Sequence, residues 1–212
     1  SGIFLEEAFA FLQDHCVQWY ISNGQIDHLI ETGIDLYKLP LQEKKDILCS
    51  CIYGIDIDIH AVEVAKFSLL IKLIEDETEP SVAEVVPILP DLSDNIQFGN
   101  SLISQTELNG INGANHQIME IAPFDWNTIN NGCGFDVIIG NPPYVNTEGM
   151  HALLPSAEVE VYKKKYKTSH KQFDKYFIFI EQAINKIKET GLVCYIAVSY
   201  THLRAHETDQ YL

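Results

Sequence analysis

The run Phe135-Asp136-Val137-Ile138-Ile139-Gly140 passes directly into Asn141-Pro142-Pro143-Tyr144. No other junction limits the possible folds of this chain as much. A short, β-branched apolar run reads as a buried strand of the parallel kind. Two consecutive prolines must end it, because neither has an N–H to give to a ladder. The segment that follows is therefore held at a strand's carboxyl end, which is where open α/β sheets bind ligands.

The rest of the chain alternates in the same sense. Cys51 to Ile57 reads as a second buried parallel strand, Asn95 to Phe98 as a weak one, and Leu192 to Val198 as another buried one. Helices are predicted over Gly2 to Tyr20, with a stripe of Phe4, Ala8, Phe11 or Leu12, and Trp19, and over Leu41 to Cys49. A third starts at Asp58 or His60, buries Val62, Ala65, Leu69, Leu70 and Leu73, and ends between Glu75 and Pro80. A fourth covers Asp174 to Lys188, with Phe177, Ile180, Ala183, Ile184 and Ile187 facing inward, and is broken by Gly191. Gly33 to Pro40 reads as a connection and Thr106 to Asn131 mostly as loop. Strands alternating with helices predict an α/β fold with a parallel sheet.

Charge is unevenly spread. The chain has 30 acids and 14 bases, a formal charge of −16, the wrong sign for a surface that grips nucleic acid throughout. Residues 1–160 hold 25 acids against 5 lysines, whereas residues 161–212 hold 9 bases against 5 acids. The dense stretch, Tyr162 to Lys175, carries Lys163, Lys164, Lys165, Lys167, Lys171 and Lys175; it is either a phosphate contact or a solvated face. No apolar run reaches the ~18 residues that cross a bilayer, and the N-terminus lacks the basic region of a signal peptide. The cysteines, Cys16, Cys49, Cys51, Cys133 and Cys194, include no C-x-x-C pair, so no metal site is expected and a reduced, cytoplasmic chain is. Cys49 and Cys51 are expected to pack at the start of a strand.

Candidate site residues follow from the strand ends. Asp56 closes its strand, where a carboxylate can accept both hydrogen bonds of a ribose diol; alternatively Asp56 or Asp58 caps the next helix. After the prolines, rigid outward carbonyls, the Asn141 carboxamide and the flat face of Tyr144 together suit a planar group bearing an NH₂. The same residues also make an ordinary turn.

Here a family resemblance becomes specific. F-D-V-I-I-G-N-P-P-Y resembles the catalytic motif of amino-group methyltransferases that use S-adenosylmethionine, above all the adenine-N6 DNA methyltransferases. I-Y-G-I-D-I-D-I-H-A-V-E-V-A-K is similar to their ribose-binding strand and helix. I-Q-F-G-N-S-L resembles the segment at the cofactor's adenine, and D-K-Y-F-I-F-I-E-Q-A with E-T-G-L-V-C-Y-I resembles the following helix and strand. The pattern is similar to Type IIG restriction–modification enzymes and related phage-defence methyltransferases over roughly residues 1–198. The resemblance implies a Rossmann-like class I methyltransferase sheet and methyl transfer to N6 of an adenine turned out of double-stranded DNA. It implies that Asn141 and Pro142 accept the amino hydrogens, that Tyr144 stacks on the base, and that Pro143, Lys163, Lys164 and Lys165 lie on the DNA side. Asp56 would hold the cofactor ribose, Ile57 flank its adenine, Asn100 and Ser101 meet the adenine edge, and Gly2 admit the methionine part.

The family's first motif reads D-P-A-C-G-S-G, and Ser1 and Gly2 match only its last two positions. The expectation is a fragment that lacks its first central strand and is inactive alone, with target-recognition and nuclease domains elsewhere in the full chain. Residues 199–212, S-Y-T-H-L-R-A-H-E-T-D-Q-Y-L, resemble translated sequencing-adapter sequence and are expected to be foreign or disordered; His202, Arg204 and His206 receive no function. Two rivals stand beside this reading. One is a protein-glutamine N5-methyltransferase, disfavoured by a long helical insertion between Gly24 and Cys49 and by the form G-I-D-I-D-I-H. The other is an inactive binding or scaffold module.

Overall fold

The computed structural model describes residues 2–78, 85–111, 113–170 and 172–197. Ser1, Lys171, Val198 and the tail 199–212 lie outside the described residues. The chain is mixed α/β and divides into two compact units, Ser1–Cys133 and Gly134–Leu212.

In the first unit, α1 spans Ile3–Ser22 and is capped by Gly2 at φ 69°, whose carbonyl accepts from Leu5 N and Glu6 N. Its inward face is Leu5, Ala8, Phe9 and Leu12, with Phe9 fully buried. The stripe expected from the sequence is corrected at Phe4, Phe11 and Trp19, which are 40%, 69% and 50% exposed. An apolar residue on every face of α1 left the sequence unable to say which face would pack.

A hairpin follows, β1 (Ile30–Gly33) and β2 (Leu36–Lys38), pairing Ile30 with Lys38 and Glu31 with Tyr37. It replaces the expected connection over Gly33 to Pro40, and of the helical insertion expected between Gly24 and Cys49 it leaves a 3-10 turn at Ile26–His28 and the helix from Leu41. Its turn uses Asp35 at φ 58°, a region that Asp enters more readily than most residues, so no Asn-Gly signal announces it.

The second helix, α2, spans Leu41–Cys51, two residues beyond its expected end. Cys49 is therefore half-buried and Cys51 exposed on a helix, not packed at a strand start. The strand after it, β3, is only Gly54–Asp56, and it is half-buried or exposed throughout rather than buried. It pairs in parallel with β4 (Ile96–Phe98), Gly54 opposite Ile96 and Asp56 opposite Phe98. Between them runs α3, Ile59–Ile74, started by the Asp58 carboxylate, which accepts from His60 N at 2.9 Å.

The face expected for α3 does the packing: Val62, Ala65, Leu69 and Leu73 are buried with Phe9, Leu41, Leu48, Ile52, Leu92 and Ile96, and Leu70 packs at the edge. Gly2 presses on this helix, and a Cβ there would stand 2.7 Å from Ala65 Cβ, so only glycine allows the approach. A buried ion pair adds a polar tie: Lys44 Nζ, with its side chain 5% exposed, lies 2.5 Å from Glu77, which also meets Lys38 at 3.3 Å. It joins α2 and β2 to the segment after α3, and breaking one partner would strand a buried charge.

The stretch expected to be mostly loop contains two helices, α4 (Gln105–Leu108) and α5 (Ala114–Ile121), and two 3-10 turns, Trp126–Thr128 and Asn130–Gly132. Ser104 and Glu107 form a capping box on α4. Ile121, Phe124 and Ile129 are buried.

The second unit has β5 (Phe135–Gly140), α6 (Thr147–Leu153), α7 (Ser156–Lys165), α8 (Lys175–Lys186) and β6 (Ile187–Tyr195). β5 stops at Gly140 and pairs in parallel with β6, Val137 opposite Leu192 and Gly140 opposite Tyr195. Regular pairing begins at Leu192, the expected start, but the strand already begins at Ile187, and the register slips between. Gly191 does not break the helix, which ends at Lys186; it sits in that irregular stretch, where a Cβ would come within 2.5 Å of Ile187 Cγ1. β5 is not a buried strand, since Val137 is 55% exposed and β6 is its one partner among the described strands. On α8 the inward residues are Lys175, Ile178, Gln182 and Ala183, whereas Phe177 and Ile184 are exposed, a further correction.

Leu69, fully buried, and Phe67, 66% exposed, lie on opposite faces of α3. Leu69→Ala is expected to cost about 2–5 kcal/mol in urea unfolding, and Phe67→Ala no more than about 0.5 kcal/mol.

Candidate functional site

In the first unit the carboxyl ends of β3 and β4 carry the expected cofactor residues. Asp56 is the last residue of β3, and its carbonyl accepts from Gly99 N. One carboxylate oxygen, Oδ1, accepts from Asp58 N at 2.9 Å; the other has no partner among the described residues, and the side chain is exposed. Asp58, not Asp56, caps α3. The two readings open in the sequence thus divide between the two residues, with Asp56 making a local turn and keeping an oxygen to spare.

Ile57 beside it is 51% exposed. Asn100 is different. It is 4% exposed, its Oδ1 accepts from Leu102 N, and its own N–H goes to Ala122 O. That carboxamide oxygen braces the loop after β4. Ser101 is half-buried, with its carbonyl accepting from Trp126 Nε1 at 3.0 Å. Gly2 lies against Ala65, as described above.

In the second unit, Asn141 to Tyr144 leaves β5 without interruption. Asn141 and Pro143 are exposed, and Pro142 is buried rather than turned to solvent. No described donor reaches the carbonyls of Asn141, Pro142 or Pro143, which is the state the prolines impose by leaving the chain no local N–H to fold back. The Tyr144 hydroxyl donates to Ile196 O at 2.5 Å, and Asn141 Oδ1 lies 3.3 Å from the same hydroxyl. The Tyr144 ring stands 6.0 Å from that of Tyr176, tilted by 58°. An open groove of about 600 Å³ is lined by Tyr144, Val145, Asn146, Gly149, Leu153 and Asp174. Asp174 is the residue that sequence reading missed at this site. Its signal was its place just before an amphipathic run, where Asp caps helices.

The basic stretch is largely engaged within the protein. Lys163 Nζ lies 3.0 Å from His151 Nε2, Lys164 pairs with Glu160 at 2.6 Å, and Lys165 stands over the Tyr166 ring. Lys175 is buried on Glu158 and is not a surface phosphate contact, which corrects its place in the stretch. The turn after α7 is held by Glu181, which accepts from Lys167 N, Thr168 N and Thr168 Oγ1. Burial pushes the Glu181 carboxyl up, but these bonds outweigh it and hold it below the usual carboxylate range. No described group of His, Cys, Asp and Glu is arranged to hold a metal ion, and no described helix is long and apolar enough to cross a membrane.

Comparison with known proteins adds the family. The model of the Eco57I restriction-modification methylase family matches residues 50–211. The chain is 46% identical over 199 residues to the Type II restriction enzyme and methyltransferase RM.Eco57I of Escherichia coli, covering 94% of this chain and 19% of that protein. It is 35% identical over 85 residues to the putative Type II restriction enzyme and methyltransferase RM.MjaORFECS2P of Methanocaldococcus jannaschii, 40% of this chain and 7% of that one. It is 34% identical over 62 residues to the Type II methyltransferase M.PaeR7I of Pseudomonas aeruginosa, 29% of this chain and 10% of that one. The chain thus spans about a fifth of the first of these relatives and less of the others.

The lowered Glu181 pKa fixes a pH dependence. Its stabilisation is full above the unfolded Glu value of about 4.3 and is lost as the pH falls through the lowered folded value. Glu181→Gln should therefore melt below wild type at pH 7, and the gap should close on acidification below pH ~4. Thermal unfolding across pH measures it.

Proposed function

The chain belongs to the Eco57I restriction-modification methylase family, and from that premise we propose that it carries the methyl-transfer part of a Type II DNA methyltransferase that modifies N6 of adenine. The observation that supports this most is the junction after β5: three carbonyls without donors among the described residues, an exposed Asn141 carboxamide, and an aromatic residue lining an adjacent open groove. Such a set accepts from an NH₂ and stacks on the ring that bears it. The parallel pairs β3–β4 and β5–β6 are what one expects of a Rossmann-like class I methyltransferase.

S-Adenosylmethionine would supply an electrophilic methyl group. The residues present fit it unequally. Asp56, exposed at the carboxyl end of β3, offers a carboxylate oxygen without a partner among the described residues, as a ribose diol requires, and exposed Ile57 offers an apolar flank. The Asn100 carboxamide oxygen accepts from Leu102 N, so a contact of this side chain to the cofactor's adenine would come from its amide N–H groups, beside Ser101.

The amino nitrogen of adenine is a poor nucleophile because its lone pair is spread into the ring. Asn141 Oδ1 and the Pro142 carbonyl would accept its two hydrogens. They would favour a pyramidal nitrogen with a localised pair, suited to receiving a methyl group in line as its bond to the cofactor's sulfur breaks; the thioether would leave and the excess amino proton would pass to solvent. Fixing both acceptors on a rigid, proline-locked segment lowers the barrier by orientation. Tyr144 would stack on the base, which must leave the duplex to arrive there; such stacking is worth about 1–3 kcal/mol. Lys163 and its neighbours in the last turn of α7 would face the phosphate backbone. The partners proposed are double-stranded DNA and, in the same full chain, a target-recognition part and a nuclease part, the latter because the name of RM.Eco57I joins a restriction enzyme to a methyltransferase.

In the full protein, Asn141→Ala should lower methyl transfer to DNA by roughly 100-fold or more, the scale of one lost transition-state hydrogen bond. S-Adenosylmethionine affinity should be unchanged in that variant by calorimetry. Asp56→Ala should do the reverse, weakening cofactor binding by about 10-fold or more. Transfer at the wild-type rate by the first variant would remove Asn141 from the mechanism.

A further inference from the structure

The proline-locked segment is held at both ends, and the hold at its carboxyl end centres on Asp174. Pro142 and Pro143 have fixed φ and no N–H, so Asn141 to Tyr144 has fewer free backbone torsions than an ordinary loop and passes on what restrains its ends. Whatever fixes Val145 therefore fixes the two acceptors upstream.

Val145 is fixed from both sides of its peptide group. Its N–H donates to Asp174 Oδ1 at 3.1 Å, and its carbonyl accepts from Lys175 N at 2.8 Å. The same Asp174 oxygen accepts from Tyr176 N at 3.3 Å and so caps α8. Thr147 repeats the tie one step on: its Oγ1 accepts from Phe173 N at 2.8 Å and lies 2.9 Å from Phe173 O. Asn146 and Asp174 complete a short antiparallel bridge.

The turn bearing Asp174 is itself anchored in the interior. Lys175, next in sequence, sends its ammonium to Glu158 at 3.2 Å, with side chains 11% and 2% exposed. The fully buried Tyr162 donates its hydroxyl to the same carboxylate oxygen, and the ammonium stands 5.4 Å from its ring. A buried pair with its hydrogen bonds satisfied resists displacement, because separating the charges leaves one unpaired in low dielectric. The chain of constraint thus runs from Glu158 through Lys175 to Asp174, and from Asp174 through Val145 to Asn141 and Pro142.

We propose that Asp174 is a positioning residue for methyl transfer, acting as a hydrogen-bond acceptor that locks the Asn141–Pro142 acceptors to the first turn of α8. This rests on the methyltransferase reading above. The role needs an oxygen at one place and no negative charge, since a single atom, Oδ1, takes both backbone N–H groups. Asparagine carries an oxygen at that place and alanine does not.

The test compares Asp174→Ala, Asp174→Asn and Thr147→Val in the full protein. It measures kcat on DNA, S-adenosylmethionine affinity by calorimetry, and amide hydrogen exchange of the 141–147 segment. Asp174→Ala is expected to lower kcat by about 10- to 100-fold, the scale on which small misplacement of reacting groups is felt. It should leave cofactor affinity unchanged and speed exchange over 141–147, without faster exchange in the Ser1–Cys133 unit. Asp174→Asn should return kcat to within about threefold of wild type, with slow exchange restored, because its amide oxygen accepts both bonds. Thr147→Val, which keeps the shape and loses the tie, should shift both readouts in the direction of the alanine variant. It serves where that variant does not fold.

Equal impairment of the asparagine and alanine variants would overturn the proposal by showing that charge is needed. So would faster exchange over 141–147 with unchanged kcat. Absence of methyl transfer to DNA by the wild-type protein would instead overturn the methyltransferase reading, with the exchange comparison still reporting whether Asp174 locks the segment.

Discussion

After Gly140 the backbone has no N–H at two successive positions, so the segment that leaves β5 cannot hold itself by turns of its own. Every restraint on it comes from elsewhere in its unit. At one end Ile196 serves twice: its N–H goes to the Gly140 carbonyl and its carbonyl takes the Tyr144 hydroxyl. At the other, Asp174 and Thr147 bind the chain to the start of α8. Among the described residues no donor reaches the carbonyls in between, and Asn141 Oδ1 meets only the Tyr144 hydroxyl, at 3.3 Å. Asn141 and Pro143 are exposed, where an unpaired carbonyl costs little, and a rigid set of acceptors at a strand end is a ready recognition surface for an NH₂.

The same economy of donors distinguishes the residues of the first unit. Asp56, Asp58 and Asn100 are all polar side chains at or just past the end of a strand. Asp58 is committed to α3, and the Asn100 oxygen to its own loop, whereas Asp56 commits one oxygen and leaves the other to solvent. Residue type alone does not separate them. The separation lies in how many local N–H groups each side chain meets, which depends on where the following helix starts.

Much of the architecture was legible because it rests on apolar periodicity or on backbone chemistry. The α3 face, the stop at Gly140 and the start of regular β6 pairing at Leu192 are all of this kind. What was not legible depended on partners distant in sequence. Hydrophobicity put Phe177 and Ile184 inside, but α8 turns Lys175 and Gln182 inward because Glu158 and the Tyr166 hydroxyl wait for them. The β1–β2 hairpin is short, exposed and turned by Asp35, so neither alternation nor an Asn-Gly or Asp-Gly pair marks it. Helix α5 buries little beyond Ala114 and Ile121, and Asn115, His116 and Gln117 hide its period. At the site, the N-P-P-Y segment and Asp56 stood out by motif. Asp174 did not, because its importance comes from a contact across 29 positions.

The central claim is the chemical identity of the product. The full protein, incubated with S-adenosylmethionine labelled in its methyl group and with double-stranded DNA, should yield labelled N6-methyladenine when the DNA is digested and its nucleosides are separated by mass. Label on cytosine, or on glutamine of an added protein substrate with none on DNA, would contradict the account.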